Sequence, residues 1–269
     1  MSNLPRSDSV QIRQVWEENL DHEINFIGQM VDSYPYIAMD TEFPGTVIPP
    51  TGDFKNVLDY EIMKENVNVL KVIQLGLTLF DDQGNLPAGD DGAHYYVWQF
   101  NFKFDRDEDR RNEGSIEFLS RRGTEFNMHK EKGVNAKKFG ELFMASGAVS
   151  NVGVHWVTFQ GGRDLGNLLK LLSGKDLPAT KKEFFCLVKA FFPSLYDVKY
   201  LITLTNGIHG GLEKLAELLQ VEGIGVSHQA ASDSWLTCGT FLKLKEEHLL
   251  DPPIQKYVGK LFWLGAVDE

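Results

Sequence analysis

An apolar run, Tyr36 to Met39, leads directly into two acidic residues, Asp40 and Glu42, and a Pro44-Gly45 pair follows. The run predicts a buried strand that the Pro-Gly pair ends, and alternation along a strand places Asp40 and Glu42 on the same face. Two such carboxylates repel each other and are costly to desolvate unless a cation neutralises them, and Mg²⁺ or Mn²⁺ prefers oxygen ligands. Two acids alone, however, are more often solvated side chains at the end of a strand, so a metal site is expected only if other residues support it.

The pattern of apolar residues predicts a mixed sheet covered by helices. Besides the strand that carries Asp40, strands are predicted at 71–80, 95–102, 153–159 and 195–200. Helical spacing is found at 10–30, 59–69, 114–122, 124–132, 135–146, 163–172, 180–191, 212–219 and 229–247, with a loop at 46–57. Three early strands followed by strand-helix units favour a single α/β domain over residues 10–262, with a flexible tail at 1–9.

Composition restricts the classes of function. The 269 residues carry a formal charge of −11, and the pI is about 5.1. Such a chain has no broad basic surface, which argues against tight non-specific binding of nucleic acid but allows an acidic nuclease that relies on metals and partners. The two cysteines lack CxxC spacing, so neither a zinc site nor a disulfide framework is expected. Without a signal-peptide pattern or an 18-residue apolar span, we expect an intracellular protein with no membrane helix.

Two later stretches also place acids where regular elements begin. Asp164 lies where the strand at 153–159 gives way to a helix, and His228 precedes Asp233 by five residues at the start of the last helix. With Asp40 and Glu42 they form the pattern D-x-E … D … H-x(4)-D. Two Mg²⁺ ions about 3.5–4 Å apart can clamp a phosphodiester and activate water. Four carboxylates balance their charge, and a neutral imidazole can accept the proton of the water.

Four segments resemble one known family over about residues 10 to 250. They are DTEFPG at 40–45, WQFNF at 98–102, YDVKYL at 196–201 and HQAxSDS at 228–234. They look like the Caf/Pop deadenylases, the catalytic subunits of the Ccr–Not complex and members of the DEDD (His-type) 3′–5′ exonucleases. The resemblance implies a ribonuclease-H-like α/β fold and Mg²⁺- or Mn²⁺-dependent shortening of mRNA poly(A) tails with release of 5′-AMP. It also implies single-stranded RNA as substrate, a Ccr–Not scaffold subunit and a second deadenylase subunit as partners, and a cytoplasmic location, with the nucleus as a further expectation.

The resemblance also implies a role for each matching residue. Asp40 would bridge two metal ions, Glu42 and Asp233 would hold the ion that activates water, Asp164 would hold the other ion, and His228 would be the general base. Two departures concern the neighbours of these residues. The chain has Gln-Gly-Gly-Arg before Asp164, where the family usually has His-Ser-Gly-Tyr, and Ala231 where the family usually has glycine. Because the five site residues all match, we expect these changes to affect tail preference and rate, not the presence of activity.

Arg163 replaces the usual aromatic residue directly before Asp164. We expect it either to point to solvent or to contact a phosphate along the RNA groove. The alternating aromatic residues of the WQFNF segment fit strand packing as well as base stacking. Two rival functions also remain, a DEDD exonuclease for another single-stranded nucleic acid and a non-catalytic scaffold subunit of the same complex. The intact set of five site residues argues against the scaffold.

Overall fold

The computed structural model describes residues 3–50, 60–89, 92–205, 207–247 and 254–266. Its strands are β1 (Val10–Val15), β2 (Tyr36–Glu42), β3 (Gln74–Phe80), β4 (Tyr95–Asn101), β5 (His155–Thr158) and β6 (Ser194–Asp197). Its α-helices are α1 (Leu20–Met30), α2 (Tyr60–Val69), α3 (Glu113–Arg121), α4 (Phe126–Lys132), α5 (Ala136–Met144), α6 (Gly162–Ser173), α7 (Lys181–Phe191), α8 (Val198–Ile202), α9 (Leu212–Leu218) and α10 (Ala230–Glu247). Short 3₁₀ turns lie at Ser7–Ser9 and Ile254–Tyr257.

The strands of the described part form one sheet in the order β1-β4-β3-β2-β5-β6. Strand β3 runs antiparallel to its neighbours β2 and β4, whereas the pairs β1–β4, β2–β5 and β5–β6 are parallel. This mixed sheet with its covering helices confirms the ribonuclease-H-like α/β fold. Strand β2 lies between β3 and β5; its first residues pair with both, whereas Asp40 and Glu42 at its end pair with β3 alone.

Each face of the sheet carries its own core. Ile37 and Met39 of β2 belong to a cluster with Leu165 and Leu168 of α6. The intervening residue Ala38 belongs to the opposite cluster, with residues of α10. Helix α10 packs across β2 and β3 and is buried on nearly all sides. Because side chains alternate along β2, Thr41 faces α6, while Asp40 and Glu42 face α10.

The helix expected at 10–30 is wrong in its first part, because residues Val10–Val15 form the edge strand β1 and only Leu20–Met30 is helical. Side chains of α1 and β4 hold strand β1 in place. The Arg13 guanidinium donates through Nε and Nη2 to the Glu23 carboxylate at 2.7 Å each. Trp98 Nε1 of β4 donates to the same buried carboxylate at 2.9 Å. Four strands rather than three therefore precede the strand-helix units.

The strand expected at 195–200 is also shorter than predicted. It ends at Asp197, because the carboxylate of Asp197 accepts the backbone N–H groups of Lys199 at 2.9 Å and Tyr200 at 3.3 Å and so begins α8. The other predicted elements are present with small shifts at their ends. Residues 51–59 lie outside the described residues, and they include most of the loop expected at 46–57 and the start of the helix expected at 59–69.

The domain expected at 10–262 and the flexible tail expected at 1–9 stay predictions. In the described part of that tail, Leu4 packs against the core, and Asn3 N donates to Gln83 O at 2.7 Å. None of the described helices has the combination of length and apolar character that a membrane span requires.

Candidate active site

Three predicted site residues meet at the end of β2. Carboxylate oxygens of Asp40, Glu42 and Asp233 lie within 4.8 Å of one another, an arrangement that can hold a metal ion. Asp40 and Glu42 come from the strand itself, and Asp233 comes from the first turn of α10. The structure therefore brings together, across almost two hundred residues, the carboxylates that the sequence pattern places at strand and helix ends.

A glycine opposite Asp40 allows α10 to approach the sheet so closely. Gly76 of β3 pairs with Asp40 in the strand register. A Cβ atom at Gly76 would lie 1.9 Å from Ala230 O and 2.5 Å from Ala231 N, the first residues of α10. Only a residue without a side chain fits here, so Gly76 controls how close Asp233 lies to Asp40.

Polar side chains of β3 and β4 hold the start of α10. The amide oxygens of Gln74 and Gln99 accept the N–H groups of Ala230 and Ala231 at 3.5 and 3.3 Å. Gln99 Nε2 also donates to Oε1 of Gln229, the residue before α10, at 3.0 Å. In the WQFNF segment, Trp98, Phe100 and Phe102 are fully buried in the core, which excludes them from stacking on a base. Of the polar residues between them, Gln99 holds the start of α10, and Asn101 accepts a hydrogen bond from Gln74.

Asp164 reaches the same end of β2 from the α6 face. Its Oδ1 accepts hydrogen bonds from Thr41 N at 3.2 Å and Thr41 Oγ1 at 2.5 Å, and Asn167 Nδ2 in turn donates to Thr41 Oγ1 at 3.0 Å. Asp164 does not belong to the three-carboxylate cluster. Its charge nevertheless acts on Asp40. The four carboxylates thus divide into a tight group of three and a fourth beside Asp40.

His228 lies in the loop before α10 with a positive φ of 60°, which turns its ring towards the site. Its Nδ1 is 3.9 Å from Asp233 Oδ2, and its Nε2 is 3.4 Å from Glu213 Oε1 of α9. The Phe118 ring contacts the imidazole edge to face, with centroids 5.1 Å apart. The imidazole therefore has one nitrogen towards the carboxylate cluster and the other towards Glu213.

Arg163 does not point to solvent, so the first of the two alternatives for it is wrong. Its Nη1 donates to Thr46 Oγ1 at 3.1 Å, and its guanidinium carbon lies 4.8 Å from the centroid of the Phe43 ring. Both partners belong to the chain that directly follows β2. The contact with an RNA phosphate stays a prediction.

The carboxyl groups of the site resist ionisation. Burial, with the charges of Asp164, Asp233 and Glu42 added, raises the pKa of Asp40 well above its usual range. Burial likewise raises the pKa of Glu42, with Asp233 and Asp164 contributing. Burial raises the pKa of Asp164 to about 6 although the hydrogen bonds from Thr41 oppose the rise. Burial also raises the pKa of Asp233 to about 6 although His228 opposes it.

These properties are the ones that a divalent cation requires. All the ligand atoms are carboxylate oxygens, which suits Mg²⁺ or Mn²⁺. Asp233 Oδ1 is buried and accepts no hydrogen bond within the described part of the chain. A cation would supply the missing partner. It would also offset the burial that raises the pKa of all four carboxyls, and the mutual repulsion that adds to the rise at Asp40 and Glu42. The residues present therefore fit the metal ions that the sequence pattern predicts.

A ribonuclease-H-like sheet whose central strand ends in a carboxylate cluster of this kind defines a metal-dependent nuclease. Comparison with known proteins gives the same class: the model of the CAF1 family ribonuclease matches residues 15–139. Probable CCR4-associated factor 1 homolog 7 of Arabidopsis thaliana is 49% identical over 269 residues, which cover 99% of this chain and 98% of the relative. The chain belongs to the CAF1 ribonuclease family.

Two further relatives extend the comparison to solved structures. Poly(A) ribonuclease pop2 of Schizosaccharomyces pombe is 38% identical over 257 residues, which cover 95% of this chain and 75% of the relative. Its Mg²⁺- and Mn²⁺-bound structure superposes with a TM-score of 0.86 over 94% of this chain and 99% of that chain. The structure of the yeast NOT1 MIF4G domain co-crystallised with CAF1 contains a chain that is 28% identical, with a TM-score of 0.80 and coverage of 96% and 99%.

Proposed function

We propose that this chain is a poly(A)-specific 3′–5′ exoribonuclease, an mRNA deadenylase that uses two divalent metal ions and releases 5′-AMP. The observation that carries the proposal is the convergence of Asp40, Glu42 and Asp233 within 4.8 Å at the end of the central strand. Supporting it is the 38% identity to an S. pombe protein named as a poly(A) ribonuclease, whose structure is described as Mg²⁺- and Mn²⁺-bound.

The division of the carboxylates supports an assignment of the metal ligands. Asp40, Glu42 and Asp233 would hold one ion, and Asp40 would share a second ion with Asp164. When bound, such a pair of ions activates a water for attack on the phosphodiester and stabilises the leaving oxygen. Thr41 orients the Asp164 carboxylate by two hydrogen bonds. This leaves the remaining lone pairs of that carboxylate to face the site.

His228 would act as the general base. Its Nε2 faces the Glu213 carboxylate at 3.4 Å, so the tautomer with the proton on Nε2 is favoured. The unprotonated Nδ1 then faces the carboxylate cluster, 3.9 Å from Asp233 Oδ2, and can accept the proton of the attacking water. Glu213 thus orients the imidazole from outside the cluster.

The proposal is tested by incubating the purified protein with a 5′-labelled RNA that ends in an adenosine tail, in Mg²⁺. We expect stepwise shortening from the 3′ end and release of 5′-AMP, with little action on a uridine tail or on single-stranded DNA. Asp40→Asn should abolish the reaction, whereas Asp32→Asn, which removes the same charge from an exposed turn, should not. Equal shortening of all three substrates would support the alternative of a less selective exonuclease, and no shortening would support the scaffold.

We infer that partners deliver the substrate. With a formal charge of −11 the chain can pair few RNA phosphates with Lys or Arg. The yeast CAF1 structure was obtained with the NOT1 MIF4G domain, which supports a Ccr–Not scaffold subunit as the partner here, together with a second deadenylase subunit. We propose a cytoplasmic location, extending to the nucleus. A pull-down from cell extract that recovers only the monomer would contradict the proposed assembly.

A further inference from the structure

An aromatic residue and an arginine border the site beside His228. Phe118 lies in α3 with 41% of its surface exposed, and its ring contacts the His228 imidazole at 5.1 Å between centroids. The guanidinium carbon of Arg122, the residue directly after α3, lies 5.3 Å from the centroid of the Phe118 ring. The three side chains are therefore in contact with one another beside the carboxylate cluster, and Phe118 is the exposed one among them.

Hydrogen bonds connect the end of α3 to the site. Gln229, the neighbour of His228, donates from Nε2 to Arg122 O at 2.8 Å. Its Oε1 accepts from Gln99 Nε2 of β4 at 3.0 Å. The end of α3 is thus tied through one side chain both to the loop that carries His228 and to the sheet. The backbone at the end of α3 is therefore held in place before any substrate binds.

Neither side chain is explained by the packing of the fold. Phe118 is more exposed than the neighbouring Phe126 of α4, which is 8% exposed and packs in a core cluster. Arg121 pairs with Glu117 at 3.3 Å, whereas Arg122 forms no direct ion pair with a carboxylate of the described residues, and its charge acts on Asp233 from a greater distance. In a chain of strongly negative charge, a guanidinium and a partly exposed aromatic ring beside a phosphodiester site have the chemistry that a nucleic-acid strand requires.

We propose that Phe118 and Arg122 form a subsite for the single-stranded RNA substrate, in which a base stacks on the Phe118 ring and Arg122 contacts a phosphate of the same strand. The proposal rests on the proposed function, because it assigns part of the substrate of that site. Stacking on an aromatic ring accepts any base, so this subsite provides affinity and placement of the strand, not recognition of adenine. Both side chains lie outside the carboxylate cluster, but Phe118 contacts His228 and the charge of Arg122 acts on Asp233. The subsite is therefore tested by RNA binding in the absence of hydrolysis.

The test measures binding separately from hydrolysis. The probe is an oligoadenylate with non-hydrolysable linkages at its 3′ end and 2-aminopurine, whose fluorescence falls on stacking, as the terminal base. The Kd and the quenching are measured in Mg²⁺ across a salt series. The variants are Phe118→Ala, Phe118→Tyr and Arg122→Gln. Arg121→Gln is the matched control, since it removes the same charge one residue away, and thermal melting confirms that each variant is folded.

Phe118→Ala is expected to raise the Kd roughly fivefold to a hundredfold and to reduce the quenching, as loss of one stacked base does. Phe118→Tyr should restore both because it keeps the ring. Arg122→Gln should weaken binding and flatten the dependence of log Kd on log salt by about 0.7, the value for one phosphate of a single strand. Arg121→Gln should leave the salt slope as in the wild type. Binding of the non-hydrolysable probe, and not kcat, is the deciding readout, because Phe118 contacts His228 and the charge of Arg122 acts on Asp233.

Wild-type affinity and quenching in Phe118→Ala, or equal salt slopes for Arg121→Gln and Arg122→Gln, would overturn the subsite. Hydrolysis of an unmodified oligoadenylate by the same wild-type preparation separates the two proposals. If the wild type shortens this RNA and the variants bind the probe as the wild type does, the subsite is wrong and the proposed function stands. If the wild type binds the probe through Phe118 but does not shorten the RNA, the proposed function is wrong and the binding site stands.

Discussion

Replacement of Asp233 by asparagine is expected to stabilise the metal-free protein while removing its response to Mg²⁺. Asp233 is 9% exposed, and its carboxyl lies within 4.8 Å of those of Asp40 and Glu42. Burial raises the pKa of Asp233 to about 6, from an ordinary value of 3.8. At neutral pH this pKa difference destabilises the folded state by about 3 kcal/mol, since each pKa unit corresponds to about 1.4 kcal/mol. Asparagine cannot ionise and avoids this cost.

The net gain is smaller than the full difference. A carboxylate in the first turn of a helix is favoured by the helix dipole, by about 0.3–1 kcal/mol, and asparagine loses this term. We therefore expect a gain of about 2–2.5 kcal/mol, which for a domain of this size raises Tm by roughly 4–8 °C.

The stability gained by Asp233→Asn should increase with pH. The folded wild type binds the proton of Asp233 more tightly than the unfolded chain does, so its stability falls as pH rises from about 4 to about 6 and stays low above that. The difference in stability between Asp233→Asn and the wild type should therefore be small near pH 4 and full at pH 7.5. Because other titrating groups are common to both proteins, the comparison cancels their contributions.

The assay is thermal and urea unfolding in chelator and in Mg²⁺, at several pH values. In Mg²⁺ the wild type should gain stability as the ion binds the folded state, and Asp233→Asn should gain much less. Asp32→Asn, an exposed control, should behave as the wild type under every condition. A variant that melts below the wild type in chelator at pH 7.5, or gains as much from Mg²⁺, would refute the idea that a cation offsets the cost of burying the Asp233 carboxylate.

Three further predictions concern single residues. His228→Ala should lower kcat by about 10²–10⁴ with Mg²⁺ affinity nearly unchanged, and a loss of affinity in a Mg²⁺ titration would instead make His228 a ligand or a structural residue. Gly76→Ala should destabilise the fold by about 1–3 kcal/mol and lower activity, because the new Cβ meets Ala230 O at 1.9 Å; unchanged unfolding in urea would show that α10 moves away freely. Arg163→Tyr should raise KM for oligoadenylate more than it lowers kcat and flatten the salt dependence by about 0.7, whereas parallel salt slopes would exclude a phosphate contact.

The parts of the site that follow from local patterns could be predicted from the sequence. Asp40 and Glu42 share a face because a strand alternates, and Asp164 and Asp233 lie in first turns because helical spacing begins at those places. Most strands and helices were predicted for the same reason. Val10–Val15 was not, because its apolar spacing fits a helix as well, and the pairing of Arg13 with Glu23 that accompanies the strand is a tertiary contact.

The contacts that complete the site could not be predicted, because they join residues far apart in the chain. Gly76 meets Ala230 only because two elements pack together, and nothing in the sequence around the glycine indicates it. The same holds for Glu213 beside His228 and for Phe118 at its edge. The sequence did contain one signal. In the WQFNF segment, polar residues alternate with aromatic ones, which indicates that one face of the strand makes buried hydrogen bonds while the other packs in the core.

The division of the carboxylates between two helices on opposite faces of the sheet has a consequence for biosynthesis. Asp164 depends on α6 docking on one face, and Asp233 depends on α10 docking on the other. Because chains are made from the amino terminus, a ribosome-bound chain can fold β1 to β5 and α6 long before α10 emerges. Such a nascent chain holds an incomplete set of ligands and cannot cut RNA. Nuclease activity is therefore expected to begin only when both faces of the sheet are covered.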